Sequence, residues 1–284
     1  MPDIIDVSFT CGGSAGFLAG AGVQTIIRYY SRDTGIPEKR LTRKEATQFA
    51  AAGVRLGIVH EAKHGNKISA FSQALGELDG AYAREYGTKT ILQPANSAIY
   101  FGVDFDASNS EVQNSIIPYF KGVATAFAAA NTNSIYRVGV YGSGRTCGAL
   151  LQANLAEFAW LAQSKGWADY KAFKDAKKWS LLQAMPDKVG EIECDPDTSN
   201  GEFGDFFLSA APTPDAVATA ESEMTVTARP GLRLRAGPGT DFDVIQMVPF
   251  GTKLFTLKTV GDWTMVDLGG DGASDGFVST HFLS

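Results

Sequence analysis

"IYFGVDFDA", residues 99–107, sets an apolar, strand-forming run against two carboxylates, Asp104 and Asp106, separated by a phenylalanine. Side chains alternate between faces along a strand. Tyr100, Gly102, Asp104 and Asp106 are therefore expected on one side, and Ile99, Phe101, Val103 and Phe105 on the other. Two acids on one face repel each other and lose hydration, a cost that a catalytic pair would explain. The competing explanation is a helix N-cap, the ordinary use of an isolated acid after a strand. The surrounding fold decides between them.

Working outward, "DIIDVS", "QTIIRYY" and "VRLGIV" precede this stretch as strands, and "YRVGVYGS", "EFAWLAQ", "KWSLLQA" and "EIECDPD" follow it. Helical patterns lie between most of them. "LTRKEATQFAAAG" is the best punctuated, with Thr42 and Glu45 as a capping box, Leu41 as a staple and Gly53 as its stop. Further helices are expected over 67–86, over 111–130 with a kink at Pro118, and over 144–154. Eight strands with helical crossovers imply parallel pairing. The fold expected for residues 1–210 is thus an α/β (β/α)8 TIM-like barrel, with a doubly wound open sheet as the alternative. Residues 211–222, APTPDAVATAES, read as a linker, and 223–284 as a small all-β module of short strands and Gly/Pro turns.

Charge narrows the function. Residues 1–222 carry 20 basic and 24 acidic side chains, and the remainder 5 and 7. Neither part has the basic excess that nucleic-acid binding requires. No apolar run is long enough for a membrane span. The start, MPDIIDVSF, lacks a basic n-region and a cleavage-like site, so it does not read as a Sec signal. Cys11, Cys147 and Cys194 form no disulfide framework and read as buried thiols.

In a parallel barrel, functional groups collect at the C-terminal ends of the strands. Asp6 ends the first strand, Arg28 and Tyr30 the second, Glu61 the third, and Asp104 and Asp106 the fourth. Tyr141, Gln183 and Asp195 end the fifth, seventh and eighth. Trp160 offers an aromatic face for sugar stacking, with core packing as the alternative. Several acids on one rim, with environments that split their pKa values, are the usual equipment of glycoside hydrolysis.

"IIDVS", "TIIRYYS", "LTRKEATQFAAAGVRLGIV", "IYFGVDFDA", "VGVYGSG" and "WLAQSKGW" together resemble a bacterial glycoside-hydrolase-like domain family, itself similar to the lysozymes of glycoside hydrolase family 25. The resemblance implies a barrel that cleaves peptidoglycan between N-acetylmuramic acid and N-acetylglucosamine. In the lysozymes the fourth strand ends in Asp-x-Glu, the Glu being the general acid. Asp106 occupies that position, and Asp104 that of the Asp supporting the acetamido group or the developing cation. Asp6 and Asp195 match acids on the first and eighth strands. Asp106 is one methylene shorter than Glu, which makes Glu61 the substitute donor. Tyr30, Tyr141, Trp160, Gln183 and Asp195 are the expected substrate contacts.

"LRLRAGPGTDFDVIQMVPFGTKL", "GDWTMVDL" and "DGFVSTHFL" resemble a bacterial SH3 domain, which implies binding of cell-wall peptides. The resulting expectation is a monomeric wall hydrolase, needing no cofactor or metal, whose partners are glycan strands and wall peptide. It would reach the wall by a route without a visible Sec signal, or with a signal already removed. A catalytically weak wall-binding protein is the non-enzymatic alternative. The third reading rests on "HEAKH", residues 60–64, a literal H-E-x-x-H that would hold zinc through His60 and His64 with Glu61 as base, were it helical. It follows a β-like run and precedes Gly65, which disfavours a helix there.

Overall fold

The computed structural model describes residues 2–129, 136–208, 223–235, 237–240, 242, 244–269 and 275–284. The chain divides into two compact units, 1–210 and 211–284. The segment read as a linker, 211–222, lies outside the described residues.

The first unit is a closed barrel. Strands β1 (Ile4–Asp6), β2 (Thr25–Tyr30), β3 (Arg55–His60), β4 (Ala98–Gly102), β5 (Arg137–Gly142), β6 (Phe158–Leu161) and β7 (Leu181–Gln183) pair in parallel, each with the next. The closing strand differs from the expectation of eight parallel strands. After β7 no helix intervenes; a short β8 (Asp187–Val189) forms a hairpin with β9 (Ile192–Ser199). That strand pairs antiparallel with both β7 and β1. A hairpin reverses the chain within a few residues, whereas parallel return needs a crossover of a dozen or more. Asp195 accordingly reaches the mouth midway along its strand, opposite Asp6, and does not end a parallel strand.

Strand parity sorts the side chains into two layers. Ile4, Ile27, Val59, Ala98, Tyr100, Phe158, Trp160 and Leu181 fill the barrel interior. Ile5, Ile26, Leu56, Ile58, Ile99, Phe101 and Val140 face the helices. Gly139 is required by the inner layer, because a Cβ there would collide with the Tyr100 ring. That ring spans the interior and donates its hydroxyl hydrogen to the Phe203 carbonyl at 2.8 Å.

Two helix expectations change in detail. Thr42 caps the helix Arg43–Ala51 by accepting from the Glu45 amide. Glu45 does not reach back to complete the box; its carboxylate accepts from Arg28 and from the Cys11 amide, each at 3.0 Å. The helix expected over 111–130 contains a π-turn, Val112–Ile116, before Ile117–Ala128. Pro118 has no amide hydrogen to give to the preceding turn, and the widened turn accommodates that loss.

The second unit is a six-stranded antiparallel sheet. Its strands are β10 (Glu223–Thr225), β11 (Leu232–Arg235), β12 (Val244–Val248), β13 (Lys253–Val260), β14 (Trp263–Asp267) and β15 (Gly276–Ser279). They follow the order β10-β13-β14-β15-β11-β12 around a core of Val226, Leu232, Leu234, Val248, Leu254, Val266 and Val278.

Candidate active site

At the C-terminal ends of the parallel strands lies a cavity of about 290 Å³. Glu61, Asp104, Asp195, Gln183, Tyr141 and Trp160 line it, together with Tyr29 and Lys39. Parity explains which side chains arrive. Asp6 follows Ile4, Glu61 follows Val59, Tyr141 follows Gly139 and Gln183 follows Leu181, all at the inward spacing of two.

Gln183 ties the floor together. Its side-chain NH2 donates to Asp6 Oδ2 at 2.8 Å and to Asp195 Oδ2 at 3.3 Å, and its Oε1 accepts from the Tyr141 hydroxyl at 2.9 Å. Asp6 Oδ1 accepts from the Tyr29 hydroxyl at 3.1 Å. Burial pushes the Asp6 carboxyl up to about 7; the Gln183 and Tyr29 hydrogen bonds oppose this, and the charge of Asp195 adds to it. Asp197, one inward position beyond Asp195, is also buried. Its Oδ1 accepts from the Trp160 indole at 2.7 Å, while Oδ2 has no partner among the described residues. Burial, then the nearby Asp6, holds its pKa well above the usual carboxylate range.

Across this floor stand Asp104 and Glu61. Asp104 is raised to about 6, by desolvation first and by the charge of Glu61 second, with Lys39 opposing. Glu61 forms an ion pair with Lys39 at 2.6 Å. The Lys39 ammonium also lies 4.4 Å from the centre of the Tyr29 ring. The backbone around Lys39 is anchored by buried Arg28, which donates to the carbonyls of Val7, Lys39 and Glu38. Arg28 is thus a support beneath the mouth.

Strand β4 ends at Gly102, so Asp104 and Asp106 lie beyond the strand. Both are exposed, but Asp104 lines the cavity, whereas Asp106 lies outside it and accepts from the Ala168 amide at 2.9 Å. Tyr30 does not reach the cavity either. It shares parity with Ile26 and Arg28, lies fully buried on the helix side, and donates to Gln93 Oε1 at 3.0 Å. Its neighbour Tyr29 is the residue of strand β2 at the mouth. Trp160 is 1% exposed and meets Tyr141 edge-on at 4.9 Å, which makes it floor.

His60, Glu61 and His64 do not converge as a helical H-E-x-x-H would. His60 is the last residue of β3 and is buried on the helix side, 5.5 Å from the Phe101 ring. Glu61 faces the barrel mouth, and His64 sits in a turn at φ +67°. Burial lowers the His60 pKa. Among the described residues no cluster of three His, Cys, Asp or Glu is arranged to hold a metal. The three cysteines are buried and unpaired.

Sequence reasoning missed Tyr29, Lys39 and Asp197. Parity with Ile27 and with Asp195 could have found the first and third. Lys39 ends the short 3-10 turn Pro37–Lys39, and nothing in its local sequence marks it.

A closed barrel with acids gathered at one mouth, joined to a small all-β unit, defines a glycoside-hydrolase-like protein with an appended SH3-type module. The chain belongs to the Rv2525c-like, glycoside hydrolase-like domain family, whose model matches residues 17–197; the bacterial SH3 domain model matches 230–284. Uncharacterized protein YbfG of Bacillus subtilis is 30% identical over 181 residues, covering 61% of this chain and 24% of that protein. Uncharacterized protein FadG of the same organism is 27% identical over 194 residues, covering 65% and 32%. The chain therefore spans 24% and 32% of the length of these relatives. Among solved structures, the Mycobacterium tuberculosis Tat-secreted protein Rv2525c, in complex with L-tartrate, superposes with a TM-score of 0.57 at 19% identity. The match covers 71% of this chain and 97% of that one, and it shows a shared fold.

Proposed function

We propose that the barrel is a peptidoglycan hydrolase of the muramidase type and that the C-terminal module targets it to the cell wall. One observation carries the reading. Asp104, raised to about 6, stands at the mouth beside Glu61 and above Asp6, which is raised to about 7. A carboxyl group poised near neutrality can hold a proton and release it, the property a general acid needs. Asp104 gives its proton to the glycosidic oxygen as the bond to the anomeric carbon breaks. Glu61 and Asp195 supply negative charge that steadies the cation-like sugar, and water completes the hydrolysis. Asp6, Gln183 and Tyr141 hold the floor rigid, and Asp106 fixes the rim through Ala168. The chain acts outside the cytoplasm in this reading, and the Tat secretion of the M. tuberculosis protein supports an export route of that kind.

A second reading, wall binding without cleavage, is favoured by the Lys39–Glu61 ion pair, which occupies one of the mouth carboxylates. Incubation with purified peptidoglycan, followed by mass spectrometry of new reducing ends, separates the two. The hydrolase reading expects muramic-acid ends from the wild type and their loss in Asp104→Asn. A wild type that binds walls and releases no ends establishes the second reading instead.

A further inference from the structure

The C-terminal unit carries a cleft of about 640 Å³, a volume typical of small-ligand sites. Leu232, Met247, Trp263 and Phe282 give it an apolar side. Met247 is 50% exposed and Phe282 42%. Large apolar side chains left in water around a concavity mark a binding surface.

Arg229 and Arg233 also line the cleft, and among the described residues no acidic side chain does. Both are exposed, and neither has a hydrogen-bond or ion-pair partner among the described residues. Arg235 is different: it is buried and donates to the carbonyls of Thr240 and Phe242 at 2.9 and 2.7 Å, holding the β11–β12 connection. Two guanidinium groups thus face the cleft with no acidic partner among the described residues, in a unit that is acidic overall.

We propose that this cleft captures the C-terminal end of a short peptide. Arg229 and Arg233 take the free carboxylate, and the last side chain rests against Trp263 and Phe282. Guanidinium groups match a carboxylate in shape as well as charge. At a chain terminus the carboxylate and the last side chain branch from one carbon, so a charged and an apolar surface are engaged together. An acidic side chain would instead bring polar backbone against the aromatic rings. A neutral glycan would leave both guanidinium groups without counter-charge. The proposal deepens the wall-targeting reading and rests on it only for its biological setting.

The test is calorimetric titration of the full chain with N-acetyl-D-alanyl-D-alanine as free acid and as C-terminal amide. The acid is expected to bind about tenfold or more tightly than the amide, in keeping with a charge-assisted pair. Arg229→Gln/Arg233→Gln should abolish that preference with an unchanged melting temperature, since both side chains are exposed. Phe282→Ser should weaken both forms alike. Equal binding of acid and amide, or no binding of the acid at millimolar concentration, overturns the proposal. So does a preference retained in the double variant. N-acetylglutamine amide and N-acetylglutamate amide test the side-chain source, and inorganic phosphate tests a general anion site. If either the glutamate derivative or phosphate binds as tightly as the peptide acid, the C-terminal assignment fails. No arm requires glycan turnover. A chain that prefers the acid yet cleaves no glycan would sink the hydrolase reading alone.

Discussion

The barrel mouth is lined by Glu61, Asp104 and Asp195 above buried Asp6 and Asp197, with Lys39 also in its lining; among the described residues the module's cleft is lined by Arg229, Arg233 and Arg235 and by no acid. The two sites differ as much in enclosure as in sign. Strands converge on the mouth from all sides, and desolvation raises the proton affinities of Asp6, Asp104 and Asp197. Arg229 and Arg233 stand exposed beside an apolar wall. Enclosure equips a site to move protons, whereas an open charged rim equips one to recognise an ion without altering it.

The largest effect that would break this contrast concerns Asp104. Asp104→Asn is expected to lower release of glycan ends by about 100-fold or more with the fold intact, the usual worth of acid–base catalysis. Asp106→Asn should cost much less, because its carboxylate serves the Ala168 amide. The reverse ranking, read from initial rates on purified peptidoglycan, would return the acid to Asp106. Loss in Glu61→Gln with Asp104→Asn nearly unaffected would move it to β3.

Deleting residues 211–284 comes next. Binding to whole walls should fall more than cleavage of soluble glycan fragments, since tethering raises local concentration only at an insoluble surface. Pull-down and fragment turnover measured together check this, and equal losses would mean that the module completes or stabilises the barrel.

The enclosed acids also make stability depend on pH. Asp6 is raised from the ordinary carboxylate value to about 7 in the native state, so the native state binds more protons than the unfolded chain between those two values. Its contribution is present in full below pH ~4 and is lost as pH rises through about 7, with roughly 1.4 kcal/mol removed for each pH step of one within that window. Urea unfolding at pH 5 and pH 8 should show the barrel weaker at pH 8, and Asp6→Asn should flatten the difference. An unchanged difference in the variant would place the titrating group elsewhere.

The smallest expected effect belongs to Lys39, which holds the Asp104 pKa down. Lys39→Met should therefore move the basic limb of the pH–rate profile upward by less than about one pH unit, as expected for loss of one partly exposed cation. Lys39→Arg should restore the profile. A lower peak with no movement of the limb would assign Lys39 to loop structure alone.

Sequence alone determined the alternation of strands and helices, the all-β character of the C-terminal module, and the placement of Asp6, Glu61, Tyr141 and Gln183 at strand ends. Those follow from local periodicity and from where each strand stops, and both are written in consecutive residues. Tertiary structure decided what local pattern does not encode. The last strand runs antiparallel because a hairpin, not a helix, precedes it. Tyr29 and not Tyr30 faces the mouth because a single step of parity exchanges barrel interior for helix layer. Asp104 and Asp106 part company because the strand ends at Gly102, after which alternation no longer governs direction. Lys39 meets Glu61 across 22 residues of chain because buried Arg28 anchors its loop. The sequence names the acids; only closure of the barrel buries Asp6 and Asp197 and gathers Glu61, Asp104 and Asp195 around one cavity.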